Sequence, residues 1–270
     1  MLSKILLALL FLAIPTKPEL IEPELIEPEL IKPELTELIE FKKDNFVSLR
    51  ETINQDSSSR LLSKLNLIEN KHNTIYLYIN SPGGDVMAGL EIINYIKSLQ
   101  SRTKQVICIA HNAMSMAFAV FQYCSQRYIL YSSTLMQHQM SLGVKGKLYD
   151  INSRMSYLNS LELKINKDQA SRLNLSLDNF TRLIQNDWWM YAEDILLHNA
   201  ADKIVSIFCS FDNFEETITT TTLFGDVTIK YSACPIINYP LQISFPTLNF
   251  SEDKKSEFMD THINFMKKYI

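Results

Sequence analysis

Basic residues are not in excess in this chain of 270 residues. The 26 Lys and Arg stand against 30 Asp and Glu, a formal net charge of -4. No stretch gathers the Lys and Arg that a phosphate backbone demands, which excludes nucleic acid as a partner. Cysteine is scarce too. Cys108, Cys124, Cys209 and Cys234 are the four present and none sit as CxxC, so a disulfide-scaffold fold and a structural zinc site are excluded. Glycines number six, three of them within residues 83–89, so backbone freedom is concentrated there. Proline is nearly absent from the middle. Pro82 is the single proline between Pro33 and Pro235, and because proline interrupts helix and sheet bonding, this middle is the regular, packed part. No apolar run reaches the ~20 residues that span a bilayer. With 46% hydrophobic and 21% charged residues, the remaining reading is one large α/β domain with appendages, or two small domains.

The ends differ from the middle. Residues 1–14 carry Lys4 and then ILLALLFLAI, a signal-like or membrane-anchoring leader in form, though Ala13 is the nearest candidate for a cleavage site. That leader predicts a secretory or membrane-associated location if it acts as a signal, and a cytoplasmic one otherwise. Within residues 15–43, the units KPELI, EPELI, EPELI and KPELT follow one another. A proline every fifth residue prevents a continuous helix, so the stretch is expected to be an extended tether. The C-terminal extension, residues 209–270, is expected to be β-rich. TITTTTL, a turn at Phe224-Gly225-Asp226 and VTIKYSA read as a hairpin. Met259, Ile263, Met266 and Ile270 then recur at helical spacing. In an oxidising lumen Cys209 and Cys234, which flank the hairpin, are the expected disulfide, with Cys108 and Cys124 remaining core thiols.

The middle alternates. TIYLYIN at 74–80 is a strand ending in Ser81-Pro82-Gly83-Gly84, and Val86, Leu90, Ile93 and Ile96 follow at helical period. Val106–Ala110 is a buried strand, followed by an apolar helix from Met114 to Phe121. Strand, turn and helix twice over predict crossover units on a largely parallel sheet. A strand at Arg127–Tyr131, a long amphipathic helix over 149–173 and helices at 178–185 and 192–198 complete the series. Ser115, at a strand-to-helix junction, is either an ordinary helix cap or a nucleophile at the positive end of a helix dipole. His138, taken alone, is an ordinary half-buried histidine or a base.

Four segments taken together narrow this choice. YINSPGG at 78–84, NAMSMA at 112–117, MQHQ at 136–139 and NDWWMYAED at 186–194 resemble the Clp protease proteolytic subunit, a serine peptidase of crotonase-like fold. NFVSLRETINQ at 45–55 and LHNAADKIVSI at 197–207 are similar to that family's first and closing core strands. The resemblance covers residues 44–208 and implies repeated β-β-α units with a handle helix. It also implies Ser115 as nucleophile, His138 as base and Asp187 as orienting carboxylate, with the backbone N–H groups of Gly84 and Met116 as oxyanion donors and no cofactor or metal. Peptide or unfolded-protein substrates, heptameric rings and an AAA+ ATPase partner are implied as well. Tyr76 and Tyr78 match positions that dock such a partner, although alternating tyrosines are also ordinary strand composition.

The sequence departs from the family pattern in places. His111 and Ala117 replace glycines, and Met140 replaces a proline, which is expected to loosen the loop carrying His138. Asp85 is either a substrate-side carboxylate or a helix N-terminal acid. An inactive ring subunit or scaffold is the competing reading. A Ser–Lys signal-peptide-degrading peptidase and an acyl-CoA hydratase-like enzyme are further alternatives, the first lacking a lysine with a motif to nominate it.

Overall fold

A computed structural model describes residues 36–211, 215–222, 225–237, 240–244 and 253. The leader, most of the expected tether and the expected C-terminal helix lie outside the described residues. The frame is a seven-stranded sheet of order β1-β7-β5-β4-β3-β2, with β6 paired to β5. Its strands are β1 (Glu37–Phe41), β2 (Phe46–Leu49), β3 (Thr74–Ser81), β4 (Gln105–Met114), β5 (Gln126–Gln137), β6 (Trp188–Tyr191) and β7 (Lys203–Cys209). Every pairing is parallel except β5–β6. The helices are α1 (Gln55–Ile68), α2 (Val86–Ser101), α3 (Met116–Gln122), α4 (Leu148–Arg172), α5 (Leu177–Leu183) and α6 (Glu193–Leu197). This is the expected α/β crossover architecture. Among the described residues, no helix is long and apolar enough to cross a membrane.

Strand β1 falls inside the stretch expected to be tether. Residues 37–41 lack proline and pair in register with Val205–Cys209 of β7. Ile39 and Phe41 point inward, so the tether reading stops short of residue 37. The hairpin of the extension is present as β8 (Glu215–Thr222) and β9 (Gly225–Ser232), joined by β10 (Pro240–Ser244) in a separate three-stranded sheet. Gly225 and Asp226 belong to β9 rather than to a turn.

Both faces of the large sheet are apolar. One carries the main core under α1, α2 and α3, with Leu77, Ile92, Phe118 and Phe121 fully buried. The other carries a smaller cluster of Ile39, Phe41, Tyr78, Ile109, Tyr128 and Val205. The extension is fastened by a Cys209–Cys234 disulfide, the pair expected for an oxidising lumen, and by Arg50, whose guanidinium donates to the carbonyls of Ser232 and Ile237. The second disulfide was not expected. Cys108 and Cys124 are both in the apolar core, but they are bonded to one another. The crossover folds α3 back over β4, and the chain just past the helix brings the two Cα atoms within 5.8 Å.

Arg127 at the start of β5 ties the sheet to the entry of β7. Its guanidinium donates to Asp202, to Gln122 and to the Asn199 carbonyl. Burial alone would raise the Asp202 carboxyl, but hydrogen bonds and charge from Arg127 outweigh it and hold it below the usual carboxylate range. A carboxylate lowered by folding contributes stability that is complete above its unfolded value, near ~3.9, and is lost as pH falls towards the folded one. Asp202→Asn is expected to cost ~2 kcal/mol at neutral pH, less than a fully buried pair because of partial solvent screening. Urea unfolding at pH 7 and in acid checks this: the gap between variant and wild type must shrink in acid, and an unchanged gap rejects the assignment.

Candidate active site

Ser115 follows directly on β4, in an uncommon backbone conformation with φ 54° and ψ −120°. It occupies the cap position of α3, yet its side chain makes no capping bond. Its Oγ instead lies 2.7 Å from His138 Nε2. Positive φ on a residue with a Cβ is costly and is kept where a side chain must be presented at a sharp strand-to-helix turn. The cap reading of Ser115 is thereby displaced.

Sheet register makes this contact. Met114 of β4 pairs with Met136 of β5, and the Ser115 N–H donates to the Met136 carbonyl at 2.9 Å. Serine and histidine therefore leave the ends of adjacent parallel strands. On the other side of β5, Gln137 pairs with Trp188 of antiparallel β6. One further step in that register sets His138 opposite Asp187, and His138 Nδ1 lies 3.7 Å from Asp187 Oδ1. That is ion-pair distance, longer than a hydrogen bond, and the Asp187 side chain is 58% exposed.

The glycine turn closes the site from β3. Gly83 has φ +87°, and a Cβ there would meet Met114 O at 2.5 Å and Met116 N at 2.8 Å. Only glycine lets this backbone lie against the turn that carries Ser115. The Gly84 N–H and the Met116 N–H both lack a hydrogen-bond partner among the described residues, so both remain able to donate to an incoming oxygen. Met116 is the first residue of α3, where a helix leaves its N–H groups unsatisfied. The turn is braced by the Ser81 hydroxyl, which donates to the Glu51 carbonyl and accepts from the Gly83 N–H. Asp85 caps α2 by accepting from the Ala88 N–H at 2.8 Å, which is the helix N-terminal role.

Two supporting residues carry no signal in a linear reading. Gln169 of α4 accepts from the Gln137 amide at 2.5 Å, and Gln137 Oε1 accepts from the His138 N–H at 3.1 Å. Both glutamines are buried. A buried Gln on an amphipathic helix becomes legible only once its partner strand is in place. The loop after His138 is not loosened by Met140 either. The Met140 N–H donates to Glu162 Oε1 at 3.0 Å, a bond that a proline could not make. A cavity of about 40 Å³ lies beside Ser115 and His138, bounded by Met116, Ala119, Met140 and Ile165.

His111 lies where the ladder of β4 shifts against both neighbours, between Ala110 and Asn112. Burial pushes its imidazole below the ordinary histidine range. Tyr78 is wholly buried, so it offers no surface to a docking partner in this conformation, whereas Tyr76 remains half-buried. No group of three or more acidic, cysteine or histidine side chains able to hold a metal occurs among the described residues.

Comparison with known proteins agrees with this architecture. The ATP-dependent Clp protease proteolytic subunit 2 of Synechococcus sp. (strain CC9605) is 25% identical over 169 residues, 60% of this chain and 84% of that relative. The family model for Clp protease matches residues 35–207, from just before β1 into β7. A match over well more than half of the sequence, onto the very strands that carry the serine, the histidine and the glycine turn, makes this chain a member of the Clp protease family.

Proposed function

We propose that the chain is a serine endopeptidase acting on peptides or unfolded protein, with Ser115, His138 and Asp187 as its triad. The observation that carries the reading is the 2.7 Å contact between Ser115 Oγ and His138 Nε2, made by a serine that forgoes its capping bond. His138 takes the hydroxyl proton as Ser115 attacks the peptide carbonyl, and then returns it to the leaving amine. Asp187 orients the imidazole so that Nε2 is the accepting nitrogen. The Gly84 and Met116 N–H groups stabilise the oxyanion, each such donor contributing about 3 kcal/mol to the transition state. The 40 Å³ cavity admits a small side chain next to the bond cleaved. A fluorophosphonate probe tests the reading: one adduct mapped to Ser115 is expected. Absence of labelling under conditions where the protein is folded would favour an inactive structural subunit.

Assembly into rings belongs to the same proposal. Helix α4 buries Ile165, Gln169 and Ala170 in its second half, while Leu148, Tyr149 and Tyr157 in the first half are exposed. Apolar side chains projecting on a helix of 25 residues need a partner surface. Past the bonded N–H groups of His138, Gln139 and Met140, residues 141–146 form no strand within the single chain, which leaves backbone groups there able to pair with another copy. Native mass spectrometry at micromolar concentration is expected to show an oligomer, and a monomer alone would contradict it. An ATPase partner, if it uses the sheet face bearing Tyr76, must work with Tyr78 covered or displace what covers it.

A further inference from the structure

Away from Ser115, the end of α2, the end of α3 and the second half of α4 border an open cleft of about 960 Å³. Its lining is mostly polar or charged, with Tyr123 and Cys124 as the exceptions. Five cations line it (Lys97, Lys104, Arg127, Lys164 and Arg172) against one carboxylate, Asp168. This concentration stands out in a chain whose net charge is -4.

Internal pairing does not neutralise these cations. Lys164 is paired with Asp168. Arg127 and Arg172 share the single carboxylate of Asp202. Lys104 donates only to neutral oxygens, of His72 and Asn73, and Lys97 rests over the Tyr123 ring, 4.7 Å from its centroid. Arg172 Nη2 donates to the Cys124 and Ser125 carbonyls, both neutral, and its Nε is buried without a partner. Burial and the neighbouring charge of Arg127 both lower the Arg172 guanidinium, against the pull of Asp202. The five cations thus exceed Asp168 and Asp202 by three positive charges, the pattern that a bound anion completes.

We infer that this cleft binds a small, multiply charged anion of the phosphate class, held by Lys97, Lys104 and Arg172. Helix α4 separates it from the Ser115 site: Lys164, Asp168 and Arg172, four residues apart, face the cleft, while Glu162, Ile165 and Gln169 face the site. The inference therefore does not depend on peptidase activity.

Isothermal titration of the full chain with inorganic pyrophosphate at constant ionic strength tests it. Saturable binding is expected, and the Lys97→Gln, Lys104→Gln double variant should weaken it by about tenfold or more, the loss of two charge-assisted contacts. Lys97 is exposed and Lys104 half-buried, and the variant gives up the Lys104 bonds to His72 and Asn73 and the Lys97 contact with Tyr123. Its thermal melt is therefore recorded beside the titration, and a cooperative melt within a few degrees of wild type is expected. Ser115→Ala should bind as wild type. A parallel titration with a nucleoside diphosphate distinguishes sources: tighter binding points to an organic diphosphate ester, equal or weaker binding to the free anion. No saturable heat up to millimolar pyrophosphate would overturn the inference. So would binding that the double variant leaves unchanged, since the anion would then sit elsewhere.

Discussion

Ser115→Ala is expected to lower peptide hydrolysis by about 10⁴-fold or more, because the proposed mechanism loses its nucleophile and only oxyanion and binding contributions remain. The variant should stay folded. Ala192 has φ 48° and ψ −124°, almost the backbone of Ser115, in an equivalent strand-to-helix turn where its N–H donates to the Ser133 carbonyl of β5. This chain thus already holds an alanine in that conformation. Ser115→Gly should be equally inactive yet more stable by about 1 kcal/mol, since glycine removes the positive-φ penalty. Rates with a fluorogenic peptide, together with denaturant midpoints of the three proteins, check both halves. Wild-type turnover in the alanine variant would remove Ser115 from the mechanism.

Asp187→Asn is the second large effect. Asparagine keeps the shape but presents an amide in place of the carboxylate, so the imidazole loses both its orienting acceptor and the charge that stabilises its protonated form. A fall in kcat of about 10³-fold with little change in KM is expected. The 3.7 Å separation and the exposure of Asp187 bear on how this is measured. Catalytic hydrogen bonds are often long without substrate and tighten when it binds, so the variant should be assayed at saturating peptide and compared at several pH values. A change confined to KM would place Asp187 in substrate contact instead.

Much of the site was legible in the linear sequence because its parts are local. Ser81-Pro82-Gly83-Gly84 announces a turn, and Ser115 sits where an extended apolar run becomes a helix. Each is a property of adjacent residues. The roles of Met140 and Asp85 were less legible. Met140 reads as a lost proline, but its N–H is bonded to Glu162, 22 residues away. The carboxylate of Asp85 is bonded to its own helix, a choice between two partners that composition does not make.

The alternation from β3 through α4, the largely parallel character of the sheet and the hairpin of the extension were determined by the sequence alone, since side-chain periodicity and turn chemistry act over a few residues. By contrast, α1, β6 and β10 were not read from it. Tertiary structure decided the rest. The register of β5 between β4 and β6 sets His138 between Ser115 and Asp187. The fold of α3 over β4 joined Cys108 to Cys124, two residues that read as separate buried thiols. Pairing with β7 turned residues 37–41 from the end of a tether into a strand. In each case the deciding contact lies between residues distant in the chain, and its free energy comes from burial and pairing that exist only when the sheet is complete.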